Sequence, residues 1–230
     1  MDNLVNEPFL VKRGKYARYA SYVGFGSLFV GLLSVNRSMA LAYGMLMIGL
    51  IAASIGAYLA NRYVKEPRAD RVFADALQNL DKRYALYQYY FPTNHLLMSH
   101  FGLTVLDPYA QGGTVSYRRG HWRHKAGFRK IMQIFGDPAL GKPDSEIRLE
   151  VARVKKWIDE LLPGQDIPVT GVAVFTNPAV QLDVEDCPIP AVRIDGLATF
   201  VKDGLKGGRV LPTALQNQLR KTLDDVIAAQ

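Results

Sequence analysis

One cysteine, Cys187, in 230 residues leaves no intrachain disulfide and no zinc site built on several cysteines. It fits a reducing compartment. Histidine is nearly as scarce, with four, and there is no Ser-His-Asp spacing or nucleophile elbow. The glycine-rich stretch "DGLKGGRV", Asp203–Val210, lacks the Lys-Ser/Thr ending of a phosphate loop and reads as a plain loop. No repeat or low-complexity linker divides the chain. Acidic residues fall short of basic ones, 21 against 28, for a net charge of +7. Residues 1–61 hold 5 basic and 2 acidic residues, and the other 169 hold 23 and 19. Much of the excess therefore flanks apolar segments, where it would meet anionic headgroups. The remainder is a weak argument for nucleic acid.

The longest absence is of charge itself. Tyr19–Asn36 (18 residues) and Ser38–Asn61 (24 residues) carry none, and only Arg37 separates them. A bilayer core of about 30 Å needs about 20 apolar residues in a helix. A two-helix transmembrane hairpin is expected within residues 1–66, with spans near 17–35 and 39–60. A cleaved signal peptide fits poorly, because two runs follow back to back with no strong small-residue cleavage site after the first. A pair of buried soluble helices is the other reading. Lys12, Arg13, Lys15 and Arg18 precede the first run, and Arg62, Lys65, Arg68 and Arg71 follow the second. Basic flanks stay on the cytoplasmic side, so both termini are expected there, at a prokaryotic inner membrane. The polar first dozen residues are expected along the membrane surface. Gly49, Ala53 and Gly56, beside Ala52 and Ala60, are small enough for close helix approach, within the hairpin or between chains.

Residues 67–230 read as one cytoplasmic α/β domain. Val72, Phe73, Ala76, Leu77 and Leu80 recur at helical spacing. "RYALYQYYF", Arg83–Phe91, reads as core edge or membrane-facing surface. Strands are expected at His95–Ser99, Leu103–Leu106 and Gly113–Tyr117, with Gly102 and Gly112-Gly113 as hairpin-type turns. A helix follows at about Ser145–Leu162. "PVTGVAVF", Pro168–Phe175, suits a strand buried on both sides. A short strand near Val192–Ile194, a helix from Asp195 to about Lys202 and a last helix, Thr213–Ala228, complete the order. Between them Arg118–Lys130 is basic, with Arg118, Arg119, Trp122, Arg123 and Lys125 as candidates for a phosphate or headgroup contact. Its bland reading is a solvated basic loop, with Trp122 packed into the core. His121 and His124, three apart, lack a Glu or Cys to complete a zinc site.

Several pieces in order carry a resemblance: a helix ending "ADALQNL", then "HLLMSHFGLTVLDPYAQGGTV", a tryptophan, "GKPDSEIRLEVARVKKWI" and "VTGVAVFTNP". Together, over about Arg68–Lys202, they resemble the nuclease-related domain (NERD) family, which has a restriction-endonuclease-like core. The resemblance implies a mixed-sheet domain and a metal-dependent phosphodiesterase site. Matched position by position, the family's helix Glu falls at Asp70, its strand Asp at Asn94, its Glu-x-Lys at Asp107 and Tyr109, and its helix-start Gln at Glu146. Only Asp70 and Asp107 keep a carboxylate for Mg²⁺, and Tyr109 cannot replace the lysine cation at neutral pH. The implied set is degenerate. A non-catalytic membrane-anchored interaction or accessory subunit is expected, without a cofactor, whose partners are the bilayer and other membrane subunits or itself. A membrane-tethered Mg²⁺ nuclease and a nucleic-acid-binding module are the alternatives.

Overall fold

The structure is a computed structural model, and it describes residues 1–125, 140–204 and 209–229. The chain forms two compact units, Asn6–Arg68 and Met1–Val5 with Ala69–Gln230.

In the first unit, α1 spans Glu7–Ser34 and α2 spans Met39–Tyr63. Asn6 starts α1 by accepting a hydrogen bond from Phe9 N at 3.0 Å, and Ser38 starts α2 by accepting one from Leu41 N at 3.4 Å. The seam is made of small residues seven apart: Ala17, Gly24 and Gly31 on α1, Ala42, Gly49 and Gly56 on α2. A seven-residue period keeps one stripe facing its partner. A Cβ at Gly24 would sit 2.7 Å from Ala53 N, one at Gly49 2.9 Å from Leu28 N, and one at Gly56 2.9 Å from Ser21 N. The helix-packing candidates Gly49, Ala53 and Gly56 therefore lie inside the pair. The outer flanks are apolar and uncovered: Phe25, Phe29, Leu32 and Leu33 on α1, and Met47, Ile48, Leu50 and Ile51 on α2, are half exposed or more.

Two expectations change here. Among the described residues one helix, α2, is long and apolar enough to cross a membrane. α1 starts ten residues before the expected span, so it takes in Lys12, Arg13, Lys15 and Arg18, and Gly and Ser dilute the rest. The first residues do not belong to the helical unit: Asp2–Val5 is a strand, β1, of the α/β unit.

That second unit is mixed α/β, as expected in outline. Its helices are α3 (Ala69–Leu77), α4 (Pro143–Leu161) and α5 (Thr213–Ala228), with short helical turns from Ile194 to Gly204. Its further strands are β2 (Ala85–Gln88), β3 (His95–Ser99), β4 (Gly102–Tyr109), β5 (Gly113–Arg118), β6 (His121–Lys125), β7 (Val169–Phe175), β8 (Val180–Val184) and β9 (Ala191–Arg193). A six-stranded sheet has the order β1-β2-β3-β4-β7-β9, with β2-β3-β4 antiparallel and β1∥β2 and β4∥β7∥β9 parallel. One face packs Tyr87, Leu96, Leu103 and Val105 against Val154 and Ile158 of α4 and Leu219 and Leu223 of α5. The other packs Leu86, Leu97, Leu106 and Val172 against Phe73 and Leu77 of α3 and Leu197 and Val201. The alternation along each strand, one side chain to each helical layer, follows from the period of two.

β4 and β5 do not form the expected hairpin. β4 pairs with β3 from Gly102 to Val105 and with β7 as far as Tyr109, and after Gly112 the chain enters a second sheet, ordered β6-β5-β8. A Cβ at Gly112 would lie 2.8 Å from Asn177 Nδ2, so glycine lets the chain pass the β7–β8 connection. The basic stretch is also not a loop over its described part. Arg119 (φ 53°) and Gly120 (φ 80°) form a two-residue turn with both φ values positive, joining β5 to β6. Phe128, Arg129 and Lys130 lie outside the described residues.

Candidate functional site

Side chains two apart on a strand share a face, so Asp107 and Tyr109 follow Leu103 and Val105 onto the α4 side of the sheet. Three of the five resemblance residues meet there. The Tyr109 hydroxyl donates to Asp107 Oδ2 at 2.7 Å and lies 3.1 Å from Glu146 Oε2, in the first turn of α4. Glu146 Oε1 accepts from Lys142 N at 3.1 Å, which closes the start of α4 and fixes the carboxylate toward the phenol. Tyr109 itself is buried and stacks on Phe175, ring centroids 5.4 Å apart. Burial, and then the charges and hydrogen bonds of Asp107 and Glu146, push its pKa above the ordinary tyrosine value. The phenol therefore stays neutral, and its one proton faces both Asp107 on its own strand and Glu146 on α4.

One helical turn on, Thr93 Oγ1 donates to Glu150 Oε2 at 2.7 Å, and Arg153 donates to Pro92 O at 3.4 Å. These hold the 89–94 loop against α4. Asn94 stands in that loop, its carbonyl accepting from Tyr89 N at 2.7 Å. β3 and β4 pair Leu96 with Val105, and two more steps in that register lead toward Asn94 and Asp107.

Asp70 belongs elsewhere. It is 2% exposed on α3, whose Phe73 and Leu77 cover the opposite face of the sheet. Tyr89 donates to Asp70 Oδ1 at 3.4 Å, and Gln88 Nε2 donates to Asp70 O at 3.0 Å and to Asn3 Oδ1 at 2.8 Å. With both amide hydrogens used, Gln88 Oε1 faces His95 Nδ1 at 2.9 Å, which assigns the proton to Nδ1. The ring of His95 lies between Phe73 and Tyr89, at 4.9 and 5.0 Å. Pattern reading did not find this network, because Gln88 and Asn3 carry no motif. The tyrosine-rich run "RYALYQYYF" marked the place but read as an edge, whereas Tyr84, Tyr87 and Tyr89 are all buried.

These positions decide the metal question. A hard divalent cation needs several oxygens converging at bonding distance. Asp70 and Asp107 lie on opposite faces of the sheet. Among the described residues no group of three or more His, Cys, Asp or Glu side chains is placed to hold a metal. The residues do not fit the Mg²⁺ that the resemblance implies.

The basic candidates divide in two. Arg118 donates to Asp183 Oδ2 at 2.9 Å and lies 3.5 Å from Glu185 Oε1, and the bond to Asp183 raises its pKa further. Trp122 turns inward: Nε1 donates to Asp144 Oδ1 at 3.0 Å, and its ring packs on Tyr117 at 5.1 Å. His124 lies beside it, its Nε2 2.7 Å from Gly112 O. Arg119, Arg123 and Lys125 are exposed. Strand alternation, hidden while the segment read as a loop, turns Trp122 and His124 inward and Arg123 and Lys125 outward.

The fold and site thus define a mixed α/β module joined to a helix pair, of which α2 is long and apolar enough to cross a membrane. Comparison with family models, curated proteins and solved structures found no match in any of the three, and nothing in them identifies a nuclease-related domain.

Proposed function

We propose that the chain is a non-catalytic membrane-anchored interaction or accessory subunit, its helix pair holding a degenerate restriction-endonuclease-like module at the cytoplasmic face of a prokaryotic inner membrane. The observation that carries this reading is the pairing of β1 with β2. β1 precedes α1 and β2 follows α3, so the chain leaves one sheet, runs through both helices and returns to the same sheet. Whatever the pair enters, it enters and leaves on one side, as an even number of spans does. The uncovered apolar flanks add support, since about 25 cal/mol is gained per Å² of apolar surface removed from water. At about 1.5 Å per residue, α1 is about 42 Å long, longer than a bilayer core. That length leaves about 12 Å, or two turns, outside the core with Lys12 and Arg13, and the long side chains of Lys15 and Arg18 reach back to the headgroups from the next turn.

The non-catalytic part rests on Tyr109, which stands where the resemblance expects a lysine and hydrogen-bonds Asp107, one of the two carboxylates that a metal would need. The test has two arms. In intact cells an impermeant thiol reagent should label Arg37→Cys in the turn between the helices and spare Cys187. A chain recovered in the soluble fraction, or labelling of Cys187 alone, would overturn the anchor. The detergent-purified chain should not cleave DNA or RNA with any divalent cation. Cleavage abolished by Asp107→Ala would establish the nuclease reading instead.

A further inference from the structure

From the outward face of the second sheet we infer that the β5–β6 hairpin is a second membrane contact, a flat cationic surface for anionic phospholipid headgroups. The inference rests on the anchored reading above and names what the module itself touches. Register settles which side chains share that face. Ser116 pairs with Arg123 and Asp183, and Thr114 pairs with Lys125 and Gln181. Residues two apart stand about 7 Å apart along a strand, so His121, Arg123 and Lys125 form a row on edge strand β6, with Arg119 at its turn. The hydroxyls of Thr114 and Ser116 lie beside the row on β5.

Charge is not evenly shared across the sheet. The acids at the far strand, Asp183 and Glu185, lie against Arg118 at 2.9 and 3.5 Å. Arg119, Arg123 and Lys125 are exposed, and no carboxylate of the described residues is within ion-pair distance of them. A row of three cations with no ion-pair partner among the described residues, flanked by hydroxyls, is complementary to a sheet of phosphates.

Two observations favour lipid over a nucleic-acid strand. Binding a single strand relies on aromatic rings that stack on bases. The hairpin's aromatics, Tyr117 and Trp122, both turn inward and pack on each other. In addition, a module tethered by α1 and α2 meets headgroups at high effective concentration, so a weak surface suffices. Each cation near an anionic leaflet adds to the attraction, and salt screens it.

The experiment uses the full chain in nanodiscs. Ser116→Cys, in a Cys187→Ser background, carries a fluorophore on the outward face, and nitroxide-labelled headgroups act as the quencher. Strong quenching is expected in discs containing phosphatidylglycerol. It should fall roughly tenfold in phosphatidylcholine discs, at high salt, or in the variant Arg119→Glu/Arg123→Glu/Lys125→Glu. These side chains are exposed, and unchanged circular dichroism will show that the variant folds. Equal quenching in neutral discs, or in the variant, overturns the inference and leaves the anchor standing. Tight oligonucleotide binding that depends on the same three residues also overturns it, in favour of nucleic acid. Failure of the chain to enter discs overturns the anchor and this inference with it.

Discussion

Tyr109 shows how one side chain changes what a strand end does. A lysine there would bring a mobile cation, whereas the buried phenol brings one proton and two acidic neighbours. Tyr109→Phe should destabilise the α/β unit by about 1.5–3 kcal/mol, the range for a hydrogen bond to a charged group, read from urea midpoints at unchanged slope. The effect on α4 should be local, with faster amide exchange in its first turn. Tyr109 shares a second property with Tyr87, which donates to Asp224 Oδ1 at 3.1 Å. Burial, followed by the nearby carboxylates, raises both pKa values above the ordinary 10.0. Because the raised value belongs to the folded state, the stabilisation is complete below pH 10. It is lost as pH climbs beyond that, where the unfolded chain releases these protons first. Near-ultraviolet titration should show at least two of the twelve tyrosines, Tyr87 and Tyr109, ionising only as the fold is lost. Titration of all of them near pH 10 with the fold intact would contradict this.

At the scale of elements, β2 joins the parts around it. Gln88 is fully buried and links Asn3 of β1, Asp70 of α3 and His95 of β3. Tyr90 adds a hydrogen bond to Val5 O at 3.2 Å. The two segments through which the chain enters and leaves the helix pair are therefore held by Gln88, the last residue of β2, and by Tyr90 just beyond it. Gln88→Leu would remove the hydrogen bonds to Asn3, Asp70 and His95 together, each worth about 0.5–1.5 kcal/mol net. The expected result is a large loss of stability in the α/β unit, with β1 amides exchanging first. Uniform exchange across the sheet would show that β1 is held by its backbone pairing alone.

The whole chain is divided less simply than its hydropathy suggests. A cut near residue 66 appears natural, yet it would remove β1, whose Leu4 packs on the main core and whose Asp2 is ion-paired with Arg220. Residues 67–230 alone should therefore be less stable than a chain in which residues 6–68 are replaced by a flexible linker joining Val5 to Ala69. About twenty Gly/Ser residues, with a root-mean-square reach of about 25 Å, give ample slack. Urea unfolding of the two proteins decides the matter, and equal midpoints would show that β1 adds nothing.

Hydropathy and local pattern alone determined the uncharged helices, their basic flanks, α4, β7 and α5, because each is set by a period or a composition within a short window. Glycines at Gly49 and Gly56 were likewise legible as packing positions. The resemblance, not the local pattern, grouped Asp107, Tyr109 and Glu146, and the structure brings these three side chains together. The resemblance also placed Asp70 with them, which the fold does not. Whether a carboxylate faces α3 or α4 depends on which side of the sheet its element covers, and no local window holds that information. For the same reason only the tertiary structure revealed β1, β6 and β8. They are short strands without a strong apolar alternation, and their hydrogen-bond partners, not their own residues, make them strands.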